Sequence, residues 1–249
     1  MNTFSERTIR QAFKTFEELP NKGWQLRNKN DLYRSADRAF SDGGDFEQFK
    51  KVYDELKRTW GLRRKGQLLT VGKAFQMFAN LSDRLQEKFK AKRLRTFARN
   101  DITELTELLR TIAKIKKLKK GPSVMAMSKL LHFWNPRFFV IFDRAVMEDW
   151  VFKHRWLESR LETLMKLTRN AVSGYNFRKE SANAFSKYIA VLWVCSECLN
   201  SNAAIGKYFF QYCCRQLEGK KHPRGLRNYD ALAVESFLEG ATHLPPHSP

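Results

Sequence analysis

Residues 101–118, DITELTELLRTIAKIKKL, decide the fold class. Ile102, Leu105, Leu109, Ile112 and Ile115 recur every three or four residues, which puts them on one face of an α-helix. Asp101 stands where an N-cap belongs and Glu104 follows three residues later, the capping-box arrangement. Working outward, the same period returns in 5–19 (SERTIRQAFKTFEEL), where Ser5 can cap and Ile9, Ala12, Phe13 and Phe16 share a face that Pro20 closes. It returns in 45–60, in 67–89 and, beyond Gly121-Pro122, in 123–134 (SVMAMSKLLHFW), which Asn135-Pro136 ends because the residue before proline avoids the helical region. A short extended run, FFVIF at 138–142, interrupts the pattern, and helices are expected again at 143–152, 155–172, 179–199, 202–217 and 229–239. Alternating strand patterns are scarce. The expected fold is all-α and multi-helix, one domain over residues 1–241 that can divide into two helical lobes with a cleft between them. Residues 242–249 hold three of the seven prolines and are expected to be a frayed, disordered tail.

Composition narrows the function. The 249 residues carry 46 Lys+Arg against 26 Asp+Glu, a formal charge of +20, yet 43% are hydrophobic and 20 are Phe. That much core material excludes a disordered polycation. No run approaches the roughly 18 uncharged apolar residues of a membrane span. The longest candidate, Tyr188 to Leu199, contains Glu197, and Met1 to Arg10 lacks the apolar segment of a secretory signal. The expected location is the cytoplasm, with no membrane partner. Cys195 and Cys198 show C-x-x-C spacing but sit in YIAVLWVCSECL, a helical run rather than a Gly-rich knuckle, so they and Cys213 and Cys214 are expected to be reduced, buried thiols. Nothing calls for a cofactor: there is no Walker loop, no G-x-G-x-x-G, and no H-E-x-x-H or other metal-ligand spacing among the histidines.

A folded chain with this charge is expected to meet a polyanion. Between Lys88 and Lys120 there are twelve basic residues and three acids; Arg63-Arg64-Lys65 and Lys220, Lys221, Arg224 and Arg227 form two further clusters. Each cluster alone can be a solvated face; together they favour contact with the phosphate backbone of double-stranded DNA, independent of sequence. The segment IKKLKKGPS (115–123) is the most informative. Lys116, Lys117, Lys119 and Lys120 precede Gly121-Pro122-Ser123, a turn that opens a helix, and backbone N–H groups at the positive end of a helix dipole suit an anion. The alternative is a helix–turn–helix joint with solvated lysines.

Residues 115–146, IKKLKKGPSVMAMSKLLHFWNPRFFVIFDRAV, resemble the helix-hairpin-helix DNA glycosylase superfamily. In that family a hairpin, usually L-P-G-[VI]-G, grips the DNA backbone, and the next helix leads through a Pro-containing loop to an aspartate. The matching positions are Gly121-Pro122-Ser123, Pro136 and Asp143, the last followed by Ala145-Val146. The first hairpin glycine is missing, and the nearest lysine, Lys129, lies fourteen residues ahead of Asp143, closer than in members that form a Schiff base. The resemblance implies an enzyme that binds DNA, flips a damaged or modified base and hydrolyses its N-glycosidic bond. The departures from the usual pattern suggest an unusual substrate, such as a hypermodified base in phage DNA, and with it a role in antiviral defence.

The residues fit that chemistry. Breaking an N-glycosidic bond passes through an oxocarbenium-like state, which a fixed carboxylate stabilises. Asp143, after five apolar residues, can be that carboxylate or a plain N-cap. Lys129 can be a desolvated amine nucleophile or a structurally paired lysine. His132, Trp134 and Asn135 are candidates for a base pocket, since an extruded base needs an aromatic stack and hydrogen-bond partners, although Trp134 also suits a core. Arg137 and Arg144 flank the aspartate and can hold phosphates. The reading from a different class is a non-catalytic basic helical protein that binds DNA or RNA.

Overall fold

The computed structural model describes residues 4–20, 26–41, 44–59, 68–115, 123–142, 146–147, 155–173, 179–217 and 228–244. Among them the chain is all-α, with eleven α-helices and no β-strand. The first three are α1 (Glu6–Glu18), α2 (Leu26–Ala39) and α3 (Phe46–Thr59). They are followed by α4 (Val71–Ala79), α5 (Asp83–Lys90), α6 (Ile102–Ile112) and α7 (Val124–Trp134). The second half holds α8 (Arg155–Ser173), α9 (Lys179–Ser201), α10 (Ala204–Gln216) and α11 (Asp230–Ala241). No single helix is long and apolar enough to cross a membrane.

Local chemistry sets several boundaries. Ser5 caps α1 by accepting the Thr8 amide at 3.0 Å, and Thr70 caps α4 through the Lys73 amide. The expected single helix over 67–89 is two helices, because the chain turns at Asn80-Leu81-Ser82. Helix α2 was not expected; among its described side chains Asn30, Leu32, Tyr33, Ala36 and Ala39 are buried, a narrow stripe in a polar sequence. Asp101 does not cap α6. Its carboxylate turns back to the Ala98 amide, 2.8 Å away, and closes the short 3₁₀ turn Arg99–Asp101 instead. At the other end, Thr242 to Leu244 continue the α11 terminus in hydrogen-bonded turns, and the rest of the expected tail, 245–249, lies outside the described residues.

All eleven helices contribute to one hydrophobic cluster. It is dense in aromatic side chains: Phe16 packs edge-on against Tyr212, Phe49 stacks on Tyr53, and Phe138 meets Phe139 edge-on at 4.8 Å. Each fully buried ring contributes about 2 kcal/mol through apolar area removed from water. Helix α1 packs against α11 and α10, α8 against α9, and α2 against α3 and α7. Three of the four thiols, Cys195, Cys198 and Cys213, are buried as expected, whereas Cys214 is exposed.

Helix α7 is the element that positions the candidate site. Every residue from Ala126 to Trp134 is buried, including Ser128, Lys129 and His132. A helix apolar nearly all round belongs in a core, and the polar groups it carries there need partners.

Candidate functional site

The buried run 139–142 follows α7 and has no regular secondary structure. Its backbone groups are taken by side chains from three helices. Phe142 donates its amide to Ser128 Oγ at 2.9 Å, and Val140 accepts from the Tyr188 hydroxyl at 2.8 Å. Ile141 donates its amide to Glu235 Oε1, and the Phe139 carbonyl lies 2.8 Å from His132 Nδ1. Glu235 and His132 thus hold backbone groups of residues 141 and 139, and Ser128 and Tyr188 those of 142 and 140. The clamp ends at the residue before Asp143.

His132 is fully buried, with its Nε2 2.8 Å from the Tyr33 hydroxyl and its Nδ1 3.2 Å from Glu235 Oε1. The Phe139 carbonyl can only accept, so Nδ1 carries the proton; in the neutral ring Nε2 then accepts from Tyr33. Burial, with Glu235 as the next contribution, pushes the Tyr33 phenol well above its ordinary pKa, which keeps it a donor. Asn135 is equally committed. Its Nδ2 donates to the carbonyls of Phe89 and Lys92, and its Oδ1 accepts the Arg137 amide. Lys129 is 6% exposed.

Trp134 stands apart from these groups. It stacks on Phe139 and lines a cavity of about 380 Å³ together with Phe40, Phe75, Phe78, Gln86 and Lys90. At 100° per residue, Trp134 and Lys129 are about 140° apart around α7, so the cavity opens on another side of the helix from Lys129. Of the three expected pocket residues, then, Trp134 faces a cavity while His132 and Asn135 bind backbone and side-chain groups inside the fold.

The basic segment also divides. Asp101, 1% exposed, receives Lys92 at 2.7 Å and Lys88 at 3.4 Å. Arg93 pairs with Asp230 through two nitrogens, and Arg95 adds a contact at 3.3 Å while donating to the Leu199 carbonyl. Lys88, Lys92, Arg93 and Arg95 thus tie elements together, whereas Arg99 and Lys114 are exposed. Arg137 is half-buried, and its carbonyl accepts from the Leu94 amide. Ser123 caps α7 through the Ala126 amide, taking one of the donors that an anion at this helix end would use. Lys116, Lys117, Lys119, Lys120, Gly121, Pro122, Asp143 and Arg144 lie outside the described residues, as do most of 143–152 and the clusters 63–65 and 220–227. No group of three or more His, Cys, Asp or Glu side chains suited to a metal occurs among the described residues.

No family model matches this chain, and neither the curated proteins nor the solved structures contain a detectable relative. Sequence reasoning missed Tyr33, Ser128, Tyr188 and Glu235. For Glu235 a signal was present: an acid in the mostly apolar DALAVESFLEGA, with Ala231, Leu232 and Leu238 at i−4, i−3 and i+3. The other three are ordinary core residues until their partners, up to 99 residues away for Tyr33 and His132, are placed beside them.

Proposed function

We propose that this chain binds DNA and acts on it as a base-excising N-glycosylase. One observation carries the reading: the Ser128–Phe142 hydrogen bond, 2.9 Å long and buried. It joins the two residues that directly precede Lys129 and Asp143 in the sequence. A base-excising site needs its carboxylate fixed on a rigid support, and the four side chains that hold 139–142 supply one immediately before Asp143 in the sequence. Asp143 stabilises the oxocarbenium-like sugar and orients water; Lys129 is the second candidate group. Lys116, Lys117, Lys119, Lys120 and the Gly121-Pro122-Ser123 turn hold the DNA backbone, together with Arg137 and Arg144, which flank the aspartate in the sequence. The base is a damaged or modified one, and modified phage DNA is the first substrate to try.

The test is base release from duplexes carrying a panel of damaged and hypermodified bases. Asp143→Asn is expected to keep DNA affinity while release falls at least about 100-fold, the scale of losing one electrostatic stabiliser. Equal release by Asp143→Asn overturns the assignment of the carboxylate. DNA binding by the unaltered protein without release from any duplex overturns the enzymatic reading and leaves a non-catalytic helical nucleic-acid binder.

A further inference from the structure

We propose that the cavity beside Trp134 is a nucleotide-binding site. A nucleobase ring sits among Phe40, Phe75, Phe78 and Trp134, Gln86 accepts from the base, and Lys90 takes the phosphate. The cavity opens on another side of α7 from Lys129. The site uses neither Lys129 nor Asp143, so it stands apart from the base-excising reading above.

The cavity measures about 380 Å³, at the lower end of the roughly 300–1,000 Å³ of small-molecule pockets. Its rings are held by packing before any ligand arrives. Phe78 meets Phe40 at 5.1 Å and Trp134 at 5.8 Å, tilted in both cases. Phe139 backs the Trp134 indole in a stack, and Phe46 and Phe49 meet Phe75 edge-on. Rings fixed in this way lose little freedom when a flat ligand joins them. Phe40 and Phe75 are only half-buried, and Phe46 behind Phe75 is 38% exposed, so the aromatic surface runs from the cavity out to solvent. Aromatic side chains open to solvent are the stacking platforms that bases use.

The polar groups decide for a nucleotide over a hydrocarbon. Gln86 Nε2 donates to the Leu81 carbonyl at 3.0 Å. A carbonyl can only accept, so the amide is oriented and Oε1 is the group Gln86 has to offer a ligand. An acceptor asks for an N–H, which every nucleobase carries and an alkyl chain lacks. Lys90 follows Gln86 by four residues, one turn along the same face of α5. It brings a positive charge to a cavity with no acid among its described lining residues, which suits a phosphate. Flat rings, one acceptor and one cation match the base, its N–H and the phosphate of a nucleotide. That chemistry is shared by a free nucleotide and by an unpaired residue of a nucleic-acid strand.

The experiment is equilibrium binding by the full chain at fixed salt. The probes are adenosine monophosphate, adenosine, ribose phosphate, a short single-stranded oligonucleotide and its abasic copy. Adenosine monophosphate is expected to bind more tightly than adenosine or ribose phosphate. Phe75→Ala is expected to weaken it by about 5- to 100-fold and to leave ribose phosphate unchanged. Lys90→Ala is expected to weaken it roughly 10-fold and to leave adenosine unchanged. Gln86→Leu should weaken adenosine monophosphate and adenosine alike. A damaged fold would weaken all probes together, so the selective losses separate binding from folding. Ala79→Glu, at an exposed position on the cavity wall, keeps the core intact and is expected to weaken the monophosphate more than adenosine. Binding of the free monophosphate assigns the site to free nucleotides. Binding confined to the oligonucleotide, tighter than to its abasic copy and reduced in Phe75→Ala, assigns it to a strand. The proposal is overturned if no probe binds, if ribose phosphate and the abasic strand bind as well as their intact counterparts, or if Phe75→Ala changes nothing.

Discussion

Asn135 shows how much a single side chain can hold. Its amide reaches the carbonyls of Phe89 and Lys92 at the end of α5, and its carbonyl takes the Arg137 amide, so one residue fixes the turn between α7 and the 139–142 run. Asn135→Ala leaves those three backbone groups without that partner inside the fold. Each buried unpaired group costs about 1–3 kcal/mol, and some of the loss relaxes. We expect the variant to lose about 3 kcal/mol of unfolding free energy, read from urea titrations followed by tryptophan fluorescence; a loss under about 1 kcal/mol would show that the turn is held elsewhere. At this scale the sequence was ambiguous in a specific way. Asn135-Pro136 was legible as a helix stop, because that rule is local. The destination of the Asn135 side chain was not, since Phe89 lies 46 residues away. His132 and Asp101 follow the same logic. Their residue types pointed to a pocket and a cap, and the fold turned them instead to the Phe139 carbonyl and to Lys88 and Lys92.

At the scale of elements, close packing of α1 on α11 depends on Gly240. A Cβ built at that position would lie 1.9 Å from the Ala12 carbonyl oxygen and 2.7 Å from its carbon, both backbone atoms that cannot swing away. Gly240→Ala should therefore push the two helices apart. Overpacking of this kind costs about 1–3 kcal/mol, and because the obstacle is backbone we expect the upper end, seen as a lower urea midpoint and looser protection of α1 amides. An unchanged midpoint would mean the helices do not meet there. Helix type and number were largely readable, because amphipathic stripes such as that of α6 repeat without interruption. Two failures have physical causes. Helix α2 buries so few apolar residues that its period is lost among Arg, Asn and Lys. The stripe of 67–89 runs through Asn80 without a break in hydrophobicity, so the turn there was hidden.

For the whole molecule, the buried phenols give a pH dependence. Burial pushes the hydroxyls of Tyr33, Tyr188 and Tyr229 well above their ordinary range, and that of Tyr53 up to about 12. The unfolded chain ionises near pH 10, so the fold favours the neutral phenol. The stabilisation is whole below about pH 10 and is lost as pH rises toward and through the folded values. Urea midpoints should be flat to about pH 9.5 and fall steeply between about pH 10 and 12; a flat profile to pH 12 would contradict this packing. The charge surplus was legible as a number but not as a surface. Lys88, Lys92, Arg93 and Arg95 looked like part of a phosphate-binding cluster, yet Asp101 and Asp230 hold them in the fold. Asp230 lies 137 residues from Arg93, a separation no pattern reports, whereas Asp101 lies inside the cluster, nine residues from Lys92.

The meeting of Ala12 with Gly240 has a consequence for biosynthesis. The two residues are 228 positions apart, so α1 leaves the ribosome long before α11 is made. At roughly 5–20 residues per second, that delay is on the order of 10–45 s. Throughout it Phe13, which packs against Phe237 of α11, lacks its final cover on the nascent chain. A holding chaperone has a defined aromatic face to shield for that interval, and the fold closes only when translation delivers its lid.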